Sequence, residues 1–235
     1  MSYFITGTDT GVGKTLISCA LLHAFAAQGR SVVGMKPVAA GCTEGQPNED
    51  VQLLRAAGNV QATPDQINPY SFMQPVAPHL AARNSGVRIE LARIARSYVE
   101  LAALADEVVV EGVGGFRVPL NEKQDAADLA QELALPVILV VGMRLGCINH
   151  ALLTERAIAD CGLKCAGWVA NVIDPEMALL QENIGALRER IAAPLLGVVP
   201  YQPTPDARAA AECLDAGLLD GKTSDPQIAQ IPGGR

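Results

Sequence analysis

A glycine-rich stretch near the start of the chain has the residue types needed to hold phosphate groups. It reads Gly-Thr-Asp-Thr-Gly-Val-Gly-Lys-Thr over residues 7–15, between an apolar run and a segment with helical periodicity. Glycines let backbone N–H groups converge on phosphate oxygens, and the start of a helix adds positive potential. Lys14 can then reach the terminal phosphates of a nucleotide, and the Thr15 hydroxyl can bind Mg²⁺. The stretch therefore predicts a phosphate-binding loop.

The loop departs from the usual pattern, G-x-x-x-x-G-K-[ST], at its start. The pattern requires glycine where this chain has Thr8, while Gly7 comes one residue early and Gly11 is additional. ATPases that partition DNA or position division proteins carry a second lysine early in a similar loop. Alignment on the shared Gly-Lys-Thr puts Asp9 at that place. The acidic residue counts against such a nucleotide-switch ATPase.

Two further charged residues end predicted strands. Lys36 ends the second apolar run, and Glu111 ends the third, where Gly-Val-Gly-Gly follows at residues 112–115. In open α/β sheets ligands bind at the carboxyl ends of the strands, and a carboxylate there can share Mg²⁺ with a phosphate loop. A lysine at a strand end is equally compatible with simple solvation. Glu111 therefore strengthens the prediction of a nucleotide site more than Lys36 does.

Short β-branched runs alternate with longer segments of helical periodicity. The predicted strands cover residues 3–6, 31–36, 107–111, 137–141, 167–170 and 195–199, and the predicted helices cover residues 14–28, 89–104, 125–133, 148–161 and 175–191. This alternation is typical of a parallel sheet covered by helices. We therefore predict an α/β, P-loop NTPase-like three-layer fold with a mostly parallel central sheet flanked by helices.

The chain shows one long irregular segment and no domain linker. Residues 39–86 carry many Gly, Pro and Asn residues, with one predicted helix at residues 50–57. Connections of this length are usually binding loops or lids. We expect residues 1–220 to form a single P-loop ATP-binding catalytic domain. Residues 221–235 have loop composition and are predicted to form a flexible tail.

Composition narrows the class of protein. The net charge of -7 argues against a nucleic-acid partner, because phosphate backbones require clustered Lys and Arg. No apolar run is long enough to span a membrane, and no basic segment precedes an apolar stretch as in a signal peptide. The six cysteines include no C-x-x-C pair, which favours free thiols in a reducing compartment. We therefore expect a cytoplasmic protein without nucleic-acid or membrane partners.

Eight segments resemble those of dethiobiotin synthetases in order and spacing, as far as about residue 202. They are residues 7–15, 36–38 (Lys-Pro-Val), 68–70 (Asn-Pro-Tyr), 78–79 (Pro-His), 111–115, 145–150 (Leu-Gly-Cys-Ile-Asn-His), 167–171 (Gly-Trp-Val-Ala-Asn) and 194–197 (Pro-Leu-Leu-Gly). The resemblance implies a homodimeric enzyme of biotin biosynthesis that uses ATP and Mg²⁺ to join 7,8-diaminononanoate with CO₂. A carbamate and a carbamic–phosphoric anhydride would precede closure of the ureido ring, with release of ADP and phosphate.

The resemblance also implies roles for individual residues. The implied catalytic residues are Lys36, Lys14 and Thr10, and the implied Mg²⁺ ligands are Thr15, Asp50 and Glu111. The implied nucleotide-binding residues are Gly11, Val12, Gly13, Lys14, Thr15, Leu16, Asp50, Glu111, Gly112, Val113, Gly114, Asn171, Val172, Pro200, Tyr201 and Gln202. The implied substrate-binding residues are Ala40, Gly41, Gly146, Cys147, Ile148 and Asn149, the last four across the dimer interface.

The chain departs from the family at two of these positions. Family members often have Ser or Thr where this chain has Ala40, and some have an acidic residue where it has Gly11. Neither change removes a phosphate or metal ligand, but Ala40 lacks a substrate-side hydroxyl. Asn171 is expected to recognise adenine, because an amide can pair with two groups on the edge of the base.

Other classes of ATP-using protein share parts of this pattern. A nucleotide-switch ATPase is the main alternative, but it would need the second loop lysine and an amphipathic helix or basic tail for targeting. An amidotransferase would need a glutaminase domain, for which 235 residues leave no room. A plain kinase is compatible with the loop. Dependence of ATP hydrolysis on bicarbonate and diamine would separate the synthetase from a switch ATPase or a kinase.

Overall fold

The first strand of the chain lies in the interior of the central sheet. The computed structural model describes residues 2–42 and 48–220. The strands are β1 (Tyr3–Gly7), β2 (Val32–Met35), β3 (Val38–Ala40), β4 (Tyr70–Phe72), β5 (Glu107–Glu111), β6 (Val137–Met143), β7 (Cys165–Val172) and β8 (Leu195–Val199). The main sheet has the order β2-β5-β1-β6-β7-β8 with parallel pairing throughout. The short strands β3 and β4 pair separately, also in parallel.

The connections between parallel strands contain most of the helices. These are α1 (Lys14–Ala27), α2 (Glu49–Ala57), α3 (Pro64–Ile67), α4 (Pro78–Asn84), α5 (Leu91–Ala102), α6 (Ala126–Leu133), α7 (Cys147–Asp160), α8 (Leu180–Arg188) and α9 (Ala207–Glu212). A 3₁₀ helix follows at Ala216–Asp220. Among the described residues, no helix is long and apolar enough to cross a membrane.

Apolar side chains are buried on both faces of the sheet. Phe4 and Val110 belong to a core shared with α5 and α6, whereas Tyr3 and Ile5 belong to a second core shared with α1 and α9. Successive side chains of a strand point to opposite faces, so a strand covered on both sides must be apolar throughout. Every residue of β1, β5 and β6 is accordingly buried. The predicted three-layer fold with a mostly parallel sheet is confirmed.

The predicted strands and helices agree with the structure except in three places. The helix predicted at residues 175–191 begins only at Leu180, because Leu179 has φ 53 and left-handed backbone cannot continue a right-handed helix. The single helix predicted within residues 39–86 is present as α2, but β3, β4, α3 and α4 were missed because each is too short to show a clear period. Helix α9 was also missed. The tail predicted at residues 221–235 lies outside the described residues.

Candidate active site

The glycine-rich loop turns sharply between β1 and α1. Gly11 has φ 74 and Gly13 has φ 89, a region of backbone conformation that other residues rarely adopt. Gly13 also has no room for a side chain, since a Cβ there would lie 2.2 Å from the Asn171 amide nitrogen. The loop therefore needs these glycines, and α1 begins directly behind it with Lys14 and Thr15.

Lys14 lies inside the curve of this loop. Its Nζ donates a hydrogen bond to the backbone carbonyl of Asp9 at 2.9 Å. Burial lowers the pKa of Lys14 to about 8, although the nearby carboxylate of Glu111 acts in the opposite direction. The ammonium is thus poorly solvated in the described structure, and bound phosphates would stabilise its charge.

A buried ionic cluster lies beside the loop, where Lys36 meets two carboxylates. Lys36 Nζ lies 2.5 Å from Glu111 Oε1 and 2.9 Å from Asp50 Oδ2. The Thr15 hydroxyl also donates to Glu111 Oε1, at 2.8 Å. The structure therefore brings together the sequence-predicted residues Lys36, Thr15, Asp50 and Glu111 from four different elements or loops.

The charges in this cluster stabilise one another. Burial by itself would lower the pKa of Lys36, but Glu111 and then Asp50 outweigh it and hold that pKa above its usual value. Burial likewise opposes the charge of Asp50, but Lys36 holds the pKa of this carboxyl below its usual value. Lys36 is therefore a buried cation at neutral pH, compensated by carboxylates as buried charges must be.

Local hydrogen bonds fix the backbone at Lys36, which follows β2, and at Asp50, which comes from the irregular segment. The Lys36 N–H donates a hydrogen bond to the Ile67 carbonyl at 2.8 Å, and the Lys36 carbonyl accepts one from the Asn68 side-chain amide at 2.6 Å. Asp50 lies in the first turn of α2, where Asn48 caps the helix by accepting from the Asp50 N–H at 3.0 Å. The N-terminal cap thus fixes the backbone that carries the Asp50 carboxylate.

The oxygen atoms of the cluster fit a magnesium ion. Thr15, Asp50 and Glu111 supply only hard oxygen donors, which Mg²⁺ prefers. The second carboxylate oxygen of Glu111, Oε2, is buried and has no hydrogen-bond partner within residues 2–42 and 48–220. An unsatisfied buried carboxylate oxygen is costly unless a cation or donor approaches it. No group of three or more His, Cys, Asp and Glu side chains in that part of the chain could hold a metal.

The loop and the cluster face a cleft of about 690 Å³. Its lining consists of Thr10, Gly11, Gly13, Lys14, Thr15, Lys36, Ala39, Ala40, Asn48, Asp50, Pro75, Val76, Ala77, Pro78, Glu111, Val113, Gly114 and Val118. All six predicted catalytic and metal residues therefore surround one space, together with Ala40 from the predicted substrate set. The opposite wall, residues 75–78, is apolar.

The residues predicted to bind adenine are not among the described residues that line this cleft. Asn171, at the end of β7, is buried and donates from its amide to the Val12 carbonyl at 2.9 Å. Val172 is the last residue of β7, and Pro200, Tyr201 and Gln202 follow β8. The Gln202 side chain accepts from the Asp206 N–H at 2.7 Å ahead of α9. Because β7 and β8 are neighbours in the sheet, their carboxyl ends place these residues on the same side of the phosphate loop as Asn171.

Four further predicted positions lie in the loops and at the helix start around the cleft. Val12 and Gly112 are buried, and the Gly112 N–H donates to the Ile5 carbonyl at 2.9 Å, so their contribution is backbone geometry. Leu16 lies in the first turn of α1. Gly41 has φ 80 and donates from its N–H to the Gln74 carbonyl at 3.2 Å, beside the apolar wall.

The start of α7 lies outside the cleft. Gly146 has φ 91 and caps the helix, Cys147 is buried, and Ile148 and Asn149 follow in the first turn. None of the four residues 146–149 is among those that line the cleft in the described chain. The N–H groups of a first helical turn lack intrahelical partners and suit an anion.

Sequence reasoning missed several residues of the site. Asn48 lines the cleft and caps α2, and the pattern Asn-Glu-Asp before an amphipathic segment was an available signal for a helix start. The ion pair between Arg144 Nη2 and Asp9 Oδ2, at 2.6 Å, joins residues too distant in sequence for any local pattern to predict.

Comparisons with known proteins find a matching family model and similar sequences. A family model described as "AAA domain" matches residues 1–209. The chain is 57% identical to the ATP-dependent dethiobiotin synthetase BioD of Nitrosospira multiformis over 92% of its length and 96% of that protein's. It is 60% identical to the protein of the same name from Aromatoleum aromaticum, over 85% of this chain and 90% of that one.

Solved structures resemble the chain in fold. The cell division protein MinD of Aquifex aeolicus superposes with a TM-score of 0.59 at 16% identity, covering 97% of this chain and 99% of that chain. A ParA family ATPase of Chlorobium tepidum superposes with a TM-score of 0.53 at 14% identity, covering 94% and 89%. At these identities the likeness shows a shared nucleotide-binding fold alone.

Proposed function

Because the chain belongs to the dethiobiotin synthetase family, it is an ATP-dependent ligase that makes dethiobiotin, and we propose that the cleft described above is its active site. The observation that carries this proposal is the convergence of Lys36, Thr15, Asp50 and Glu111 beside Lys14. Phosphoryl transfer requires positioned charges more than covalent catalysis, and this cluster supplies charges of both signs.

In this proposal the nucleotide lies along the carboxyl edge of the sheet. Backbone N–H groups of residues 11–16 would surround the phosphates, with Lys14 as their buried counter-charge. Residues 112–114 would approach the phosphates from β5. Asn171 would recognise adenine with amide atoms that its bond to Val12 does not use, beside Val172 and the backbone of residues 200–202.

Thr15, Asp50 and Glu111 would hold the magnesium ion that accompanies ATP. When bound, Mg²⁺ neutralises developing charge on the phosphate oxygens. The unpartnered Glu111 Oε2 within the described part of the chain supports this assignment. Asp50 is the only one of the three that belongs to the irregular segment, so its position depends on the cap of α2.

The proposed reaction proceeds through two transfers at the cleft. One amine of 7,8-diaminononanoate adds to CO₂ and loses a proton, giving a carbamate. A carbamate oxygen attacks the γ-phosphorus as the bond to ADP breaks, which gives a carbamic–phosphoric anhydride. The second amine attacks the carbamate carbon and loses a proton as phosphate leaves, and the ureido ring closes. Lys36 would hold the carbamate against the γ-phosphate, while Lys14 and Thr10 would orient the phosphates from the loop.

The substrate would contact two regions of the protein. Ala40 lines the cleft, and Gly41 lies next to Pro75 of its apolar wall, which suits the aliphatic chain of the diamine. Its carboxylate would bind N–H groups at residues 146–149 of a second subunit, because those residues do not line the cleft of their own described chain. Leu145, just before α7, is 92% exposed, and Leu153 within α7 is 62% exposed. Exposed leucines next to this helix start support a homodimer.

We further propose a cytoplasmic location and a single catalytic unit over residues 1–220, followed by a flexible tail at residues 221–235. The location is supported by the cysteines, all six of which are free thiols. The single unit is supported by a sheet in which β1 pairs with strands from the middle of the chain. Limited proteolysis should therefore release the tail and leave the remainder active.

The decisive experiment supplies purified protein with 7,8-diaminononanoate, bicarbonate, Mg²⁺ and ATP, and measures dethiobiotin by mass spectrometry and ADP in parallel. ADP release should require both bicarbonate and the diamine. A kinase or switch ATPase would hydrolyse ATP without them, and that result would overturn the proposed function.

Lys36→Gln tests the role of the cluster in the same assay. This variant removes the charge and keeps a polar, slightly shorter side chain, so it should lower kcat on the order of 100-fold with a smaller effect on the KM for ATP. The matched control is Lys164→Gln, at an exposed lysine outside the cleft, which should behave as wild type. A change in KM alone would make Lys36 a binding residue.

A further inference from the structure

An ion pair connects the phosphate loop to the segment that leads into α7. Arg144 Nη2 lies 2.6 Å from Asp9 Oδ2, and the two side chains are 43% and 47% exposed. Asp9 belongs to the loop between β1 and α1, and Arg144 lies between β6 and α7. The pair therefore spans two neighbouring loops at the carboxyl edge of the sheet.

Asp9 makes contacts on three sides. Its other carboxylate oxygen accepts from the Thr10 N–H at 2.7 Å, and its backbone carbonyl accepts from Lys14 Nζ at 2.9 Å. The bond from Thr10 and then the Arg144 guanidinium hold the pKa of the Asp9 carboxyl below its usual range. Asp9 thus fixes the turn that carries Thr10 and aligns the carbonyl against which Lys14 rests.

Arg144 is held at its own end by the start of α7. Its backbone carbonyl accepts from the Cys147 N–H at 3.0 Å, and Cys147 is buried. The residue before it, Met143, ends the fully buried strand β6. The guanidinium is therefore presented to Asp9 from a rigid part of the fold rather than from a free loop.

We propose that Arg144 is a positioning residue that acts through Asp9 to hold the phosphate loop in its nucleotide-binding shape. Without the guanidinium, the Asp9 carboxylate loses one of its two partners, and the turn at Thr10 gains freedom that nucleotide binding must then remove. The inference rests on the proposed nucleotide site. It assigns a role to Asp9 and Arg144, neither of which touches the phosphates in the proposed reaction.

The test measures the Kd of a non-hydrolysable ATP analogue with Mg²⁺ by calorimetry. Arg144→Gln should weaken binding about threefold to tenfold, the range expected for one partly exposed charge-assisted contact. Arg144→Lys should restore affinity to within about twofold, because it keeps a cation at this position. The matched control is Arg156→Gln, which removes an exposed pair with Asp160 at 2.8 Å on α7 and should leave the Kd unchanged.

A double-mutant cycle separates positioning through Asp9 from a general effect on the fold. Asp9→Asn should weaken binding to a similar extent, and the double variant should bind no more weakly than the weaker single variant. An Arg144→Gln variant with the Kd of the Arg156→Gln control, or a double variant whose loss is the product of the two single losses, would overturn the proposal. Wild-type protein that binds the analogue but forms no dethiobiotin would overturn the proposed function and leave this comparison valid.

Discussion

Two lysines face the same cleft, and their surroundings move their pKa values in opposite directions. Burial lowers the pKa of Lys14 to about 8, with only partial compensation from nearby carboxylates. Direct contacts with Glu111 and Asp50 keep the pKa of Lys36 above its usual value. Lys36 is therefore a permanent cation, whereas the charge of Lys14 depends on pH and on what the loop holds.

This contrast predicts proton uptake when nucleotide binds above neutral pH. With a pKa of about 8, most Lys14 side chains of the free protein are neutral at pH 8.5, and phosphates should restore the charge, so binding should take up about three-quarters of a proton. Calorimetry at pH 8.5 in two buffers of different ionisation enthalpy measures this number. Lys14→Arg carries a side chain that does not titrate and should show no uptake. Wild-type binding enthalpies that do not depend on the buffer would contradict the prediction.

Much of the site at the scale of residues was predictable because it follows strand ends. Glu111 ends a buried strand, and Lys14 with Thr15 begins a helix, so each lies where a local pattern places it. Asn48 and the partnership of Asp9 with Arg144 were not predicted. The first depends on the exact start of α2, and the second on contact between residues far apart in sequence, which no periodicity reports.

At the scale of elements, α2 connects helix stability to the proposed metal site. The helix carries Asp50, whose carboxylate lies 2.9 Å from Lys36 Nζ, and its cap is the Asn48 side chain. Strands β3 and β4 flank the same region with three residues each. Elements this short depend on their caps and neighbours rather than on intrinsic propensity.

Asn48→Ala should therefore affect both stability and metal use. Loss of the cap should lower the free energy of unfolding by about 1 kcal/mol, and misplacement of Asp50 should raise the Mg²⁺ concentration needed for half-maximal activity. Asp206→Ala is the control, since it removes the cap of α9, where Asp206 accepts from the Arg208 N–H at 2.9 Å. The control should lose comparable stability with an unchanged Mg²⁺ requirement. If both variants needed the same Mg²⁺ concentration for half-maximal activity, the result would show that α2 does not support the proposed metal site.

Element boundaries show what sequence patterns lack. The fifth predicted helix began several residues too early, because nothing in the sequence marks Leu179 as a left-handed residue. The six main strands were predicted correctly, since apolar runs buried on both faces leave a strong signal. Local sequence patterns thus predicted the strands and helices of the three layers. The irregular connections depend on tertiary contacts, which these patterns do not report.

At the scale of the whole molecule, the proposed shared site predicts recovery of activity by subunit exchange. Lys14→Ala and Asn149→Trp should each be inactive alone. The first should prevent productive binding of the nucleotide, and the second should block the proposed contact with the diamine. A mixed dimer has one site with both defects and one intact site. Random exchange should therefore restore roughly a quarter of wild-type activity.

The control for this experiment mixes Lys14→Ala with Lys36→Gln. Both residues lie in the cleft of their own chain, so no mixed dimer contains an intact site. This mixture should stay inactive. Native mass spectrometry confirms the exchange. If Lys14→Ala and Asn149→Trp exchange subunits and no activity returns, the substrate site lies within one chain.

The interior position of β1 also determines when the protein can fold during synthesis. Phe4 pairs in register with Val110 on one side and Val137 on the other, so the first strand made waits for partners from the middle of the chain. Non-local pairings of this kind slow folding, because a long loop must close before any contact rewards it. The nascent chain therefore carries an apolar strand that lacks both neighbours until β5 has left the ribosome, and lacks one of them until β6 has followed.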